Sequence, residues 1–184
     1  SESRKISIVQ GINNEIKPNY INQNLGDDQL KVLIAGCGTG NQILQAQRYK
    51  NAKITAIDLS LSSLAYAQRK INELGIDNVE LIQMDILEVG LLKERFDIIE
   101  SSGVLHHMND PSQGLKALVD VLKNNGFLKL GLYSELARKD IVEARNYIAR
   151  KNLKPTTTDI RRFRKDVVSG IYPEIENLQK RSSF

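Results

Sequence analysis

Val32-Leu33-Ile34-Ala35-Gly36-Cys37-Gly38-Thr39-Gly40 is the stretch that decides the fold of this 184-residue chain. Its apolar first half predicts a buried strand, and its glycines predict a tight turn that lets the backbone approach a ligand closely. A second apolar run, Ile54-Thr55-Ala56-Ile57, predicts another strand, which ends in Asp58. In a parallel α/β sheet this order indicates an adenosine-binding site, because the acid at the second strand tip can accept hydrogen bonds from ribose hydroxyls.

The spacing of the glycines narrows the class of ligand. A dinucleotide-binding turn reads G-x-G-x-x-G, whereas this turn reads G-x-G-x-G and has Asn41 where the third glycine would stand. The sequence contains no Gly-Lys-Ser/Thr, so the lysine of a P-loop is missing as well. We therefore expect a nucleoside ligand without a diphosphate, and the turn argues against a nicotinamide-dependent dehydrogenase.

Strand and helix signals alternate on both sides of this stretch. Apolar runs predict strands at 31–35, 53–57, 79–83, 96–101 and 127–133. Helices are predicted from 41 to about 49, from 61 to 74 after the N-cap Ser60, and from 111 onward after the N-cap Asp110, with a short helix or turn within 86–95. Such alternation predicts right-handed crossovers and a parallel sheet covered by helices on both faces.

Three segments follow from this pattern: a cover segment at 1–30, an α/β core at 31–134 and a basic helical segment at 135–184. Helices are predicted at 135–151, from Thr157 or Thr158 to 168, and at 173–180. Residues 138–165 hold ten Lys/Arg against three Asp/Glu, although the whole chain carries a net charge of only +4. This basic stretch is either a solvated helical face or a contact surface for an anionic partner such as nucleic acid or an acidic substrate. A protein partner or a second copy of the chain could also bind through these C-terminal helices.

The composition argues against a membrane-spanning protein and against a protein stabilised by disulfides. The chain is 41% hydrophobic and 26% charged, which suits a packed domain, and it has no apolar run of membrane-spanning length. Cys37 is the single cysteine, so no internal disulfide can form, and a reducing cytoplasm is expected. The first residues lack the apolar core of a signal peptide and an initiator Met, so we expect a fragment without membrane attachment. We predict no metal site.

Four motifs in order, each at a predicted strand end, carry a family resemblance: Gly36-Cys37-Gly38-Thr39-Gly40, Asp58, Asp85 and Gly103-Val104-Leu105-His106-His107. Residues from about 31 to 134 resemble a class I S-adenosylmethionine-dependent methyltransferase. The resemblance implies a three-layer Rossmann-like fold with strand order 3-2-1-4-5 and S-adenosylmethionine as cofactor. The run from Gly131 to Arg138 resembles bacterial methyltransferase domains joined to tetratricopeptide repeats, which implies a second hypothesis, a non-catalytic binding module of a larger protein.

The resemblance also implies which residues hold the cofactor. Asp58 would bind the ribose, and Asp85 would meet the adenine amine. The full predicted set is Gly36, Cys37, Gly38, Gly40, Asp58, Leu59, Met84, Asp85, Ile86, Ser101, Ser102 and Gly103. Asp58 and Asp85 have alternative roles as caps of the turns that follow them. Ile34-Ala35 stand where family members usually carry an acid, which is a departure at the amino-acid end of the site.

His106 and His107, the only histidines of the chain, are the predicted catalytic residues. An imidazole can accept a proton from an oxygen, nitrogen or activated carbon that receives the methyl group. The alternative is that the pair only shapes its loop. Cys37 is expected to have no covalent role, and no Asn/Asp-Pro-Pro-Tyr/Phe follows the fourth strand. A small molecule or a protein is therefore a more probable acceptor than a nucleic-acid base.

The family sheet has two further strands after the fifth, and the sequence shows no signal for them. After Ser134 only helical patterns are found, and Val167-Val168 is too short to form a strand. We expect either that the chain ends before these strands or that helices replace them, and truncation is the favoured interpretation.

Overall fold

The computed structural model describes residues 5–22, 29–134 and 138–171. The strands are β1 (Leu30–Ala35), β2 (Ala52–Asp58), β3 (Val79–Gln83), β4 (Phe96–Ser102) and β5 (Leu122–Gly131). The helices are α1 (Ile8–Glu15), α2 (Asn41–Ala46), α3 (Leu61–Glu73), α4 (Pro111–Asp120), α5 (Lys139–Arg150) and α6 (Thr157–Val168), with 3₁₀ helices at Ile86–Leu92 and Leu105–His107. By internal contacts the chain divides into two compact units, Ser1–Leu132 and Tyr133–Phe184.

The five strands of the described residues form one parallel sheet in the order β3-β2-β1-β4-β5, as the family resemblance predicted. Val32 of the central strand β1 pairs with Ile54 of β2 on one side and with Ile98 of β4 on the other. The strand order reverses between β1 and β4. In open α/β sheets this reversal creates a crevice at the carboxyl ends of the strands, where ligands bind.

Helices cover both faces of the sheet, and β1 shows why. Val32 and Ile34 point into a core shared with α2 and α3, whereas Leu33 and Ala35 point into a second core shared with α4 and the 3₁₀ helices. All four side chains are fully buried. A strand buried on both faces is expected to be a continuous apolar run, which is the pattern that decided the fold.

Most predicted boundaries lie within two residues of the observed ones, but α2 and β5 differ more. Helix α2 ends at Ala46, three residues before the predicted end. Strand β5 begins at Leu122, five residues early, and its register with β4 shifts between Phe96 and Ile98. A β carbon at Gly126 would lie 3.0 Å from the carbonyl oxygen of Asp97. The Asn125-Gly126 pair, a dipeptide common in turns, is therefore an irregular part of a strand that passes close to β4.

The second unit contains α5 and α6. Ala144 and Val167 are buried there against Ile141 and Phe163. The hydroxyl of Tyr147 in α5 donates a 2.7 Å hydrogen bond to Asp166 in α6. Helix α6 is capped by Thr156, one residue before the two predicted caps, because the Thr156 side chain accepts the N–H of Asp159.

Two sequence predictions concern the ends of this unit. The helix predicted at 173–180 lies outside the described residues, as does the predicted start of α5 at 135–137. Within residues 5–22, 29–134 and 138–171, the structure shows no helix that combines the length and the apolar character needed to cross a membrane.

Candidate functional site

A cavity of about 580 Å³ lies where the carboxyl ends of β1, β2, β3 and β4 meet. It brings seven of the predicted site residues together, namely Gly36, Asp58, Leu59, Met84, Asp85, Ile86 and His107. Six further lining residues were not predicted as site residues, namely Leu87, Val104, Met108, Asn109, Asp110 and Gln113. The Asp110-Pro111 pair indicated where α4 begins, directly after the β4 loop, but no sequence signal showed that the first turn of this helix faces the cavity.

The glycine turn meets the cavity at Gly36. Gly36, Gly38 and Gly40 have φ values of +79°, +50° and +94°, a region that other residues rarely adopt. A β carbon on Gly36 would overlap the side chain of Val104, so this glycine allows β1 and the β4 loop to approach each other. A β carbon on Gly38 would meet no atom within 4 Å. The turn therefore leaves open space above Gly38.

Asp58 links the glycine turn to the end of β2. Its Oδ2 accepts the backbone N–H of Gly38 at 2.7 Å, and its Oδ1 accepts the N–H of Ser60 at 2.8 Å. Asp58 thus closes the turn at Leu59-Ser60, whereas the N-cap of α3 is Ser60 itself. Each carboxylate oxygen has more than one lone pair, so a carboxylate held in this way can still accept hydrogen bonds from a ligand.

The neighbouring tip of β3 supplies Met84, Asp85 and Ile86. The N–H of Met84 donates to the carbonyl of Asp58 at 3.1 Å, which ties the two strand tips together. Asp85 is the N-cap of the first 3₁₀ helix, and its Oδ1 accepts the N–H of Leu87 at 2.9 Å. The alternative capping role of Asp85 is therefore also present, at a residue that lines the cavity.

Cys37, Gly38, Gly40, Ser101, Ser102 and Gly103 were predicted to hold the cofactor but do not line the cavity. The Cys37 thiol is buried, with its Sγ 3.8 Å from the carbonyl oxygen of Gly38. Burial, together with the negative charge of Asp58, raises the pKa of Cys37 to about 12. A thiol with such a pKa stays protonated near neutral pH, and a protonated thiol is a poor nucleophile. This is consistent with the expectation that Cys37 has no covalent role.

The end of β4 lies beside this cavity. Ser101 is 1% exposed, and its Oγ has no hydrogen-bond partner in the described part of the chain. Gly103 has a φ of +77° and open space where a β carbon would stand. Its N–H donates to the carbonyl of Gly131 at 2.9 Å, so the β4 loop is anchored to the end of β5.

The two histidines lie together, but only His107 lines the cavity. Both belong to the second 3₁₀ helix, and their Nε2 atoms are 3.1 Å apart. The backbone N–H of His107 donates to the carbonyl of Val104 at 2.9 Å, which fixes the turn that carries it. The geometry therefore distinguishes the pair: His107 can meet a ligand in the cavity, and His106 is in position to orient its ring.

The first turn of α4 closes the side of the cavity next to His107. Asp110 caps this helix, and its carboxylate accepts hydrogen bonds from the hydroxyl of Ser112 (2.6 Å), the N–H of Ser112 (2.9 Å) and the side chain of Gln113 (3.0 Å). These hydrogen bonds lower the pKa of Asp110, and the bond from the Ser112 hydroxyl contributes most. A β carbon at Gly114 would lie 2.9 Å from Leu105 Cδ2, so this glycine lets α4 pack directly against the histidine turn.

No group of three or more His, Cys, Asp or Glu side chains suitable for a metal ion is found within the described ranges. The polar groups of the cavity are instead backbone N–H and C=O groups, three carboxylates, two side-chain amides and one imidazole, namely those of Asp58, Asp85, Asp110, Asn109, Gln113 and His107. They lie beside apolar side chains. This is a donor and acceptor set for an organic ligand with hydroxyl and amine groups.

Comparison with known proteins places the chain in a family. The family profile described as "Methyltransferase domain" matches residues 32–126, just over half of the chain. An uncharacterized protein of Synechococcus sp. is 39% identical over 121 residues, which are 65% of this chain and 29% of that protein. The malonyl-[acyl-carrier protein] O-methyltransferase of Acetivibrio thermocellus is 32% identical over 61% of this chain and 39% of its own length. The chain thus spans less than half the length of these relatives.

Solved structures show the same fold. Coclaurine N-methyltransferase, bound to N-methylheliamine and SAH, aligns with a TM-score of 0.51 and 30% identity, over 57% of this chain and 31% of that one. The [4+2]-cyclase SpnF aligns with a TM-score of 0.52 and 28% identity, over 56% and 39%. PKMT2 from Rickettsia typhi, in complex with AdoHcy, aligns with a TM-score of 0.61 over 76% of this chain and 28% of that one; at 24% identity this likeness concerns the fold alone.

The sequence motifs, the strand order and the family match agree. The predictions of the family and of its cofactor class are confirmed, while the roles of individual site residues stay predictions. The chain belongs to the methyltransferase domain family and is of the class I, S-adenosylmethionine-dependent type.

Proposed function

We propose that this chain is the domain of a methyltransferase that binds S-adenosylmethionine and transfers its methyl group. One observation carries the proposal: a single cavity has Asp58 and Asp85 beside the glycine turn at one end and His107 at the other. Groups suited to an adenosine and a group suited to proton transfer thus face the same space. We propose the same methyl transfer for any longer protein that contains this domain.

The residues at the β2 and β3 tips fit the adenosyl group. Asp58 is already oriented by the N–H groups of Gly38 and Ser60, so its remaining lone pairs can accept the ribose hydroxyls without further ordering of the side chain. Met84 and Ile86 offer apolar surface for the adenine ring, and Asp85 can accept a hydrogen bond from the exocyclic amine of the ring. The open space above Gly38 allows the ligand to lie against the backbone.

When bound, the cofactor supplies a methyl group on a positively charged sulfur, which is a good leaving group. The chain then has to hold the acceptor in line with the methyl group and exclude competing water. His107 is placed to accept a proton from the acceptor, and His106, with its Nε2 3.1 Å away, is placed to orient the imidazole. The side chains of Asn109 and Gln113 can position polar groups of the acceptor.

We favour a small molecule or a protein as the acceptor. The loop after β4 is Gly103-Val104-Leu105-His106-His107 and lacks the Asn/Asp-Pro-Pro-Tyr/Phe pattern that grips the exocyclic amine of a base. Relatives and neighbours named as O- and N-methyltransferases support acceptors of this general kind.

A second function is a binding module that holds the cofactor without turnover inside a larger protein. The observation in its favour is the second unit, where Arg161, Arg162 and Lys165 are exposed on α6 and offer a basic surface to an anionic partner. The similarity to a [4+2]-cyclase also indicates that this fold is not restricted to methyl transfer. Such a module would bind the same cofactor with the same residues but would label no acceptor.

Calorimetry and a labelling assay separate these functions. We expect the chain to bind S-adenosylmethionine and S-adenosylhomocysteine with micromolar Kd, about −8 kcal/mol, and not to bind NAD. Binding of NAD alone would overturn the proposal. Incubation with a cell extract and cofactor labelled in the methyl group should then mark an acceptor with the wild-type chain and not with His107→Ala. Binding without any labelling would favour the non-catalytic module.

A further inference from the structure

Gln42 crosses the point where the strand order reverses. It lies in α2, directly after the glycine turn, and its Nε2 donates a 3.3 Å hydrogen bond to the carbonyl oxygen of Ser102. Ser102 is the last residue of β4. The side chain therefore joins the start of the first crossover to the end of the strand on the other side of the crevice.

The other end of the same amide is unsatisfied. Gln42 Oε1 is buried and has no hydrogen-bond partner among the described residues. Buried acceptors are nearly always paired, because leaving one without a donor costs free energy. The side chains at the end of β1 cannot donate a hydrogen bond to this oxygen, since Ile34 and Ala35 are apolar and fully buried. A donor that belongs to a ligand is the simplest partner for this oxygen.

The adjoining cavity shows which part of a ligand would reach this place. Asp58, Met84 and Asp85 gather on the side of β2 and β3, so the adenosyl group belongs there. Gly36 and Val104 line the cavity, and a β carbon at Gly38 in the glycine turn or at Gly103 after β4 would meet no atom within 4 Å. A ligand that extends from the β2 and β3 tips past Gly36 therefore runs toward the gap between the glycine turn and the end of β4. Gln42 does not line the cavity itself, but it spans this gap through its hydrogen bond to Ser102.

We propose that Gln42 Oε1 accepts a hydrogen bond from the ammonium group of the methionine part of S-adenosylmethionine, an inference that rests on the proposed function. The amide is anchored only through Nε2, and the terminal torsion of a glutamine side chain is soft. A small rotation thus presents the oxygen to the crevice. No acidic residue at the end of β1 is available to contact the ammonium group. Gln42 would make this contact as a neutral acceptor.

Two ligands that differ only in the amino-acid part provide the test. S-Adenosylhomocysteine carries the ammonium group, and 5′-methylthioadenosine has the adenosyl sulfur without it. We expect Gln42→Met to raise the Kd for S-adenosylhomocysteine about 10-fold or more, as for a lost hydrogen bond to a charged group, and to change that for 5′-methylthioadenosine less than about twofold. Gln42→Glu should bind S-adenosylhomocysteine at least as tightly as the wild type. Gln45→Met, on the exposed side of the same helix, is the matched control.

The outcomes separate this inference from the proposed function. If the wild-type chain binds neither ligand, the proposed function fails and the inference with it. If the wild type binds both but Gln42→Met weakens them equally, or weakens neither, only the role of Gln42 is overturned. Should Gln42→Met not fold, as judged by circular dichroism and thermal melting, the ratio of the two Kd values in Gln42→Glu decides: a fall in the affinity for S-adenosylhomocysteine alone contradicts the inference.

Discussion

The two ends of the cavity, which we propose to hold the adenosyl group and the methyl acceptor, are built differently. The adenosyl side (Gly36, Asp58, Leu59, Met84, Asp85 and Ile86) consists of strand tips and turns whose carboxylates accept backbone N–H groups. The acceptor side (Val104, His107, Met108, Asn109, Asp110 and Gln113) consists mainly of side chains from one 3₁₀ helix and the first turn of α4. The carboxylates of the adenosyl side are held in place by backbone N–H groups, whereas the acceptor side depends on the packing of one helix turn, so we expect the acceptor side to determine specificity.

The largest effect should come from the acceptor side. We expect His107→Gln to lower the rate of methyl transfer by about 10²- to 10⁴-fold, the usual contribution of a general base, with unchanged affinity for S-adenosylhomocysteine. His106→Gln, whose ring does not line the cavity, should cost far less. The measurement is single-turnover transfer to the labelled acceptor for both variants. Equal rates for His107→Gln and the wild type would leave the histidine pair with a purely structural role.

Two glycines on the adenosyl side should respond in opposite ways. Gly36→Ala forces a β carbon into Val104 at a positive φ, so we expect a loss of about 2–4 kcal/mol in the free energy of unfolding. Gly38→Ala meets no atom within 4 Å, so its cost should be only about 1 kcal/mol. Gly38→Ala should nevertheless weaken cofactor binding, because the new methyl group enters the ligand's space. Urea unfolding and calorimetry on both variants check this, and normal binding by Gly38→Ala would contradict the placement.

The two carboxylates of the adenosyl side should also be unequal. Asp58→Ala is expected to weaken binding of S-adenosylhomocysteine by about 1.5–3 kcal/mol, because it removes a charged acceptor for the ribose and releases Gly38 N–H. Asp85→Ala should cost about 1 kcal/mol, since Asp85 meets a single amine. Calorimetry at one ionic strength gives both values. Unchanged affinity in Asp58→Ala would remove Asp58 from the site.

The smallest effect concerns the cap of α4. The pKa of Asp110 is lowered in the folded chain, so its stabilising contribution is present above its ordinary pKa and is lost as the pH falls through the folded value. Asp110→Ala should therefore lower Tm at pH 7 and make less difference at about pH 3. Asp120→Ala, at the other end of the helix, is the control. A Tm difference that does not depend on pH would show that the carboxylate charge plays no part.

The adenosyl side was largely predictable from the sequence for a physical reason. Strands buried on both faces are largely continuous apolar runs, so β1 and β2 and the residues at their tips could be located directly. The edge strand β3 is only partly buried, and β4 contains Asp97 and Glu100, so their positions followed from the alternation of strands and helices. Asp58 ends the apolar run of β2, Asp85 follows β3, and both lie at the cavity. Cys37 and Ser101 show the limit of this reasoning. Position in a motif identifies the turn, but whether a side chain reaches the cavity depends on packing, and both residues are buried and do not line it.

The acceptor side was predicted less completely, because it depends on how one helix packs. The Asp110-Pro111 signal located the start of α4, but nothing in the sequence showed that Gln113 and Asn109 face the same space as His107. Strand β5 was misplaced for a related reason. The Asn125-Gly126 pair is a strong local turn signal, and the ladder with β4, which depends on residues 26 or more positions apart, overrides it.

A crystal structure of the chain with S-adenosylhomocysteine tests the central claim most directly. The adenosine should lie in the crevice with its ribose hydroxyls within hydrogen-bond distance of Asp58 and its adenine beside Met84 and Asp85. The sulfur should point past Gly36 toward the side occupied by His107. A ligand found elsewhere on the chain, or one whose ribose lies away from the end of β2, would contradict it.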